Sequence, residues 1–215
     1  MENRRVSKFL VKLILFALFS AIIIVLAFTP AGYIMIPGVA ITTVHIPVII
    51  GSFVLGIWGG TFLGLVFGLT SFFRALTTPD LLATIVLVEG NAWYTLFLVA
   101  AILVVPRVLT GLFSGLAFRL GRKIDKTKVF ALGISSFIGS ITNTIFVLGG
   151  VYVFAFERAV AGFGLENPTY GAFAKMLLGI VALNGVPEAI FAVIVCTLVA
   201  KILLKYMDDM DNKLN

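Results

Sequence analysis

Between Asn91 and Phe118 the chain carries a single charged residue, Arg107, inside an apolar run long enough to cross a bilayer. About 20 apolar residues span the hydrocarbon core, and a segment there must satisfy its own backbone hydrogen bonds, so such runs fold as helices. The pattern recurs along the chain. Of 215 residues, 60 % are hydrophobic and 12 % charged, with a mean hydropathy of +1.14, whereas a soluble domain is about 25 % charged. The chain is therefore an integral membrane protein with room for about six spans and no soluble domain. Its single cysteine, Cys196, excludes internal disulfides and cysteine metal clusters.

The net charge of +6 is gathered in three places. Arg4, Arg5, Lys8 and Lys12 precede the first apolar run. Arg119, Arg122, Lys123, Lys126 and Lys128 crowd one short connection, and Lys201, Lys205 and Lys213 close the chain. This is the positive-inside pattern of cytoplasmic ends and loops, not a nucleic-acid surface. The N-terminal segment resembles a signal peptide, but Phe9–Phe28 is long enough to span and no convincing cleavage site precedes Pro30. It reads as a retained first helix.

The expected fold is an all-α bundle of six transmembrane helices, at about 9–28, 46–58, 60–75, 95–118, 129–151 and 176–204. The apolar block Ile46–Phe73 is long for one span and short for two. Splitting it near Trp58-Gly59-Gly60 puts the basic connection on the same side as the N-terminus, so both termini are expected to be cytoplasmic. The connections Thr29–His45, Leu76–Asn91 and Phe156–Lys175 then face outward, and Ala31–Thr43 reads as an irregular loop. These long outer loops suggest a site open to the outside.

Polar residues inside the apolar helices carry the chemistry. A guanidinium cannot shed its proton, and a charge near the bilayer centre costs about 2.5–3.5 kcal/mol even on lenient scales. Arg107 is either a structural group paired with a carbonyl or carboxylate, Glu188 being the best internal partner, or a fork for a ligand carboxylate or phosphate. Pro106, just before it, lacks an N–H and loosens the helix. Asn143 suits a ligand amide or a neighbouring helix. Asn184 and Glu188 are one turn apart and share a face. His45, the one histidine, is a cap, a packing group or a ligand contact. Arg74 snorkels. Asp80, Glu89, Asn91, Trp93 and Tyr94 read as outer-loop and interfacial residues, with Asn91 and Trp93 as secondary site positions. Gly60, Gly64 and Gly68 repeat every fourth residue, as do Gly111 and Gly115, and Ala17 and Ala21. Such spacing lets helices approach closely.

In order and spacing, several segments resemble the substrate-binding S components of energy-coupling factor (ECF) transporters. They are Gly32-Tyr33-Ile34, Pro37-Gly38, Thr42 through Gly51, Gly64 through Ser71, Pro106-Arg107, Thr142-Asn143-Thr144 and Asn184 through Ala189. The pattern is most similar to the pantothenate-type members. The resemblance implies a six-helix protein of a prokaryotic plasma membrane that binds a vitamin from outside. It implies docking on a transmembrane coupling subunit and two cytoplasmic ATPases, with Ala17 and Ala21 on the docking surface. The first and third loops would gate the pocket. For pantothenate it implies Arg107 at the carboxylate, and Asn143 at the amide or a hydroxyl. His45, Asn184 and Glu188 are placed among the remaining polar groups, with Tyr33, Phe53 and Trp93 over the gem-dimethyl carbons. Thr43 is a ligand contact or a loop cap. Pyridoxine and hydroxymethylpyrimidine are the alternative ligands.

Other classes fit poorly. Zinc hydrolysis needs several His, Cys or carboxylate ligands, and no HExxH is present. No Ser/His pairing announces a nucleophile. With no P-loop, ATP-driven transport needs a partner's ATPase. No enzyme activity and no cofactor or metal are expected. A stand-alone secondary transporter is the remaining alternative.

Overall fold

Each long apolar run forms a helix. The computed structural model describes residues 2–36, 39–78, 81–125, 127–165 and 169–213. Pro37, Gly38, Asp80 and Lys126 lie outside the described residues. In chain order the elements begin with α1 (Glu2–Ala27), a 3-10 turn (Pro30–Gly32), β1 (Tyr33–Ile36) and β2 (Val39–Thr42). Next come α2 (His45–Val54), α3 (Gly56–Thr77), α4 (Leu81–Val86) and α5 (Ala92–Leu98). A π-helical stretch (Val99–Val104) joins α5 to α6 (Val105–Gly121), followed by α7 (Val129–Phe154) and α8 (Phe156–Gly162). Then α9 (Tyr170–Ile180) runs through a second π stretch (Val181–Gly185) into α10 (Val186–Lys213). Among the described residues, 5 helical stretches are long and apolar enough to cross a membrane: Phe9–Ala27, Gly56–Thr77, Ala92–Gly121, Val129–Phe154 and Tyr170–Asp209. The apolar helix α2 is shorter.

The block Ile46–Phe73 does divide, but at Leu55–Gly56 and not at Trp58–Gly60. Gly56 takes φ +83, a left-handed corner open to glycine. Gly59 and Gly60 remain inside α3 because packing needs them small. A Cβ on Gly60 would meet Ser52 and stand 2.9 Å from the Gly111 carbonyl oxygen. The reciprocal Cβ on Gly111 would strike the Gly60 carbonyl, and one on Gly64 the Arg107 carbonyl. The glycine repeats thus lock α3 against α6 at backbone distance, a small-residue crossing that brings the Arg107 turn into the bundle.

The segment Ala31–Thr43, expected to be irregular, holds a two-stranded antiparallel hairpin with Tyr33 opposite Thr42 and Ile36 opposite Val39. Thr43 closes its base: the Thr43 N–H donates to Gly32 O at 2.9 Å and its hydroxyl to Ala31 O at 2.6 Å. Connections expected as loops also hold helices, with α4 in the third and α8 in the fifth.

Two apolar clusters fill the bundle. One joins Phe19 and Ile23 of α1 to Ile49, Leu63, Phe67 and Cys196. The other joins Ala83, Leu98, Ile102 and Phe173 at the hairpin end. α1 buries Phe19, Ile23 and Ala27 but leaves Ala17 and Ala21 exposed.

Candidate functional site

Two prolines prepare the site. Pro106 has no N–H, so the Ile102 carbonyl four residues back loses its helical donor, and the π stretch ends here. Arg107 takes that carbonyl, its Nη1 donating to Ile102 O at 2.7 Å. Pro187 repeats the arrangement, following the second π stretch and standing beside Asn184 and Glu188. A π stretch before a proline and a charged residue occurs twice, and each brings a polar group inward.

The helix register puts these groups at one level. Ser52 and Ser114 share a hydrogen bond of 2.9 Å between α2 and α6. His45 lies two turns before Ser52, and Arg107 two turns before Ser114, so His45 and Arg107 are neighbours. On α7, a Cβ on Gly139 would meet Ser114 at 2.9 Å and one on Gly150 would meet Ile102 at 3.1 Å. This antiparallel register sets Asn143 facing the Arg107–Thr110 turn. A Cβ on Gly185 would stand 2.9 Å from Thr144, which brings Asn184 and Gly185 to the same level.

His45, Arg107, Asn143 and Glu188 are all buried, with residual exposures of 0 %, 8 %, 8 % and 6 %. Glu188 Oε1 stands 3.3 Å from His45 Nδ1. That separation is within reach, but the pair is not aligned as a hydrogen bond. The Arg107 guanidinium acts electrostatically on both residues, and the Thr42 backbone lies close to them. Its Cζ also stands 5.4 Å from the centre of the Phe67 ring. Glu188, the partner expected for Arg107, meets His45 directly and Arg107 through space. Among the described residues, Asn143 Oδ1, both His45 ring nitrogens and Glu188 Oε1 have no aligned hydrogen-bond partner. A buried polar group left unmatched costs about 1–3 kcal/mol. Such a group of donors and acceptors around a cation is suited to a small polar anion.

Asn184 joins this level as a half-buried residue. Thr43 lies two residues before His45, but its hydroxyl is committed to the hairpin base. Tyr33 is at the start of the hairpin, its ring 3.7 Å beneath the Arg74 guanidinium. Arg74 therefore stacks on the hairpin. Phe53 lies about two turns beyond His45, where its ring packs 4.8 Å from Phe118 toward the basic end. Trp93 is 83 % exposed on α5. The structure thus gathers His45, Arg107, Asn143, Asn184 and Glu188, sets Thr43 and Tyr33 above them, and holds Phe53 and Trp93 apart.

One clamp was not expected from sequence. Arg158 on α8 donates its Nε to Ile85 O at 2.7 Å and its Nη2 to Thr84 O and Leu87 O at 2.7 and 2.8 Å. It holds the carbonyl end of α4 and borders a cleft of about 1080 Å³ shared with Glu89 and Asn91. This cleft lies apart from the buried polar group, whose residues do not line it. The buried group carries the stronger functional signal, because Asn143 Oδ1, the His45 ring nitrogens and Glu188 Oε1 are desolvated without aligned partners, while Arg158 holds three carbonyls.

Helices long enough to cross a bilayer surround a desolvated arginine and its polar neighbours, an arrangement suited to a membrane protein with a small polar ligand. The chain belongs to the family of ECF transporter substrate-specific components, which it matches over residues 11–200. It is similar to the pantothenic acid transporter PanT of Lactococcus lactis subsp. cremoris, 36 % identical over 172 residues that cover 76 % of this chain and 78 % of that one. It is also similar to the pantothenate transporter PanT of Leuconostoc mesenteroides subsp. mesenteroides, 26 % identical over 202 residues that cover 89 % and 91 %.

Proposed function

We propose that this S component binds pantothenate at the level of Arg107 and delivers it through an ECF module. The observation that carries the reading is the gathering of Arg107, His45, Asn143 and Glu188 in a chain whose relatives are named for pantothenate. Pantothenate offers a carboxylate, an amide, two hydroxyls and a gem-dimethyl carbon. The Arg107 fork, already turned inward by Pro106, binds the carboxylate in a site where water does not compete. Asn143 supplies both a donor and an acceptor to the amide or a hydroxyl. His45, Asn184 and Glu188 serve the remaining polar groups. Tyr33 covers the ligand from the hairpin, and Thr43 acts by holding that hairpin over it.

Counting α2 and α3 as separate crossings gives six, and the positive-inside rule then places both termini in the cytoplasm of a prokaryotic cell. The hairpin end faces outward, so the vitamin arrives from outside. With no P-loop in this chain, uptake draws on two cytoplasmic ATPases through a transmembrane coupling subunit. The exposed Ala17 and Ala21 offer that subunit a close-packing face on α1. A vitamin panel in a thermal-unfolding assay tests the ligand. Pantothenate at 100 times its Kd should stabilise the protein by about 2.7 kcal/mol. Pyridoxine and hydroxymethylpyrimidine should leave the transition unmoved. Stabilisation by either of these in place of pantothenate overturns the assignment.

A further inference from the structure

A second site lies at the opposite, basic end of the bundle. There the α2–α3 corner and the last turns of α6 enclose a cleft of about 250 Å³, lined among others by Phe53, Gly56, Trp58, Gly115, Arg119 and Arg122. We propose that this cleft seats the phosphate headgroup of an anionic phospholipid.

Charge is the first argument. The two arginines are exposed, no carboxylate lines the cleft, and neither guanidinium has an ion-pair partner among the described residues. Two guanidinium forks beside one small cavity match the oxygens of a phosphate, and basic pockets between helices at a membrane surface favour lipid headgroups. Shape is the second. Gly56 brings no side chain to the corner, and the space where its Cβ would lie is open. Behind it the Phe53–Phe118 ring pair forms an apolar wall for the glycerol and upper acyl carbons. Position is the third. Trp58 stands beside the cleft with 74 % of its surface exposed, as a side chain of the headgroup belt does. The same end carries Lys123 and Lys128, so the cleft lies where anionic headgroups collect. A soluble phosphate shares this chemistry. The apolar wall and the belt tryptophan favour the lipid.

Native mass spectrometry of the purified full chain in detergent tests the proposal. Palmitoyl-oleoyl-phosphatidylglycerol, palmitoyl-oleoyl-phosphatidylcholine, glycerol 3-phosphate and inorganic phosphate are titrated in parallel. One phosphatidylglycerol should be retained per chain in preference to phosphatidylcholine, and neither soluble phosphate should displace it. R119Q/R122Q should weaken retention by about thirtyfold, at about a fivefold loss per arginine, whereas K201Q/K205Q at the same end should leave it unchanged. An unshifted melting temperature shows that each variant is folded, and the single exposed substitution R122Q serves if the pair is not. Equal binding of the two lipids, or displacement by free phosphate, overturns the proposal. So does full retention by a folded R119Q/R122Q variant. Loss of assembly with the coupling subunit while lipid retention persists would make the cleft a protein-docking surface instead.

Discussion

On the proposed reading, Arg107 is both structural and ligand-directed. One donor, Nη1, replaces the N–H that Pro106 lacks at Ile102 O, which fixes the direction of the fork. Arg107→Lys keeps the charge but loses the planar fork. It should weaken pantothenate binding by about 1.5–3 kcal/mol, or about ten- to 150-fold, measured by equilibrium titration of purified protein. An unchanged affinity would assign Arg107 to the helix alone. Thr43→Val tests the hairpin separately. It removes the bond to Ala31 O and should lower stability by about 1 kcal/mol in thermal unfolding.

The crossing of α3 and α6 is the element on which the site depends. Gly111→Ala drives a methyl into the Gly60 carbonyl and should destabilise by about 1–3 kcal/mol, since backbone cannot yield as a flexible side chain does. Gly149→Ala, with open space around its Cβ, should be tolerated. Thermal unfolding of the two variants in one detergent compares them directly. The basic connection has its own fastening. The Asp125 carboxylate accepts from Ala131 N–H at 3.0 Å and from the Thr127 hydroxyl at 2.7 Å. The Ala131 amide foremost, then the Thr127 hydroxyl, hold the carboxyl below its ordinary 3.8. A carboxyl lowered on folding stabilises the fold above its unfolded value, and that contribution is lost as pH falls through the lower folded value. Asp125→Asn should therefore flatten the acid limb of the stability profile below pH 3.8, read as melting temperature against pH. At the other end, Arg158→Ala frees three carbonyls and should raise amide hydrogen exchange across the α4 segment.

Along the full chain, the sequence makes the helices legible because lipid leaves long apolar runs no other fold. Arg107, His45 and Glu188 stand out for a related reason: such groups are expensive inside apolar runs, so a site is their natural explanation. The hairpin is less legible. Its alternating β-branched residues flank Pro37-Gly38, but a chain of apolar helices hides a period of two. The split at Gly56 follows from a backbone angle, and two glycines at 59–60 mark a packing surface that looks equally like a break. Arg158 gives no sequence signal, since three carbonyls from another segment become visible as partners only after folding. On the proposed reading the binding site lies within one chain, whereas the energy for uptake comes from partner subunits. Proteoliposomes holding the isolated protein should therefore bind the vitamin without accumulating it, and accumulation should begin when the coupling subunit and ATPases are added with ATP.

Isothermal titration of pantothenate into the purified chain, without nucleotide, asks whether Arg107 holds the vitamin. Sub-micromolar binding of one vitamin per chain, abolished in a folded Arg107→Ala variant, is the expected result. Absence of binding, or equal affinity in that variant, would contradict a vitamin site built around Arg107.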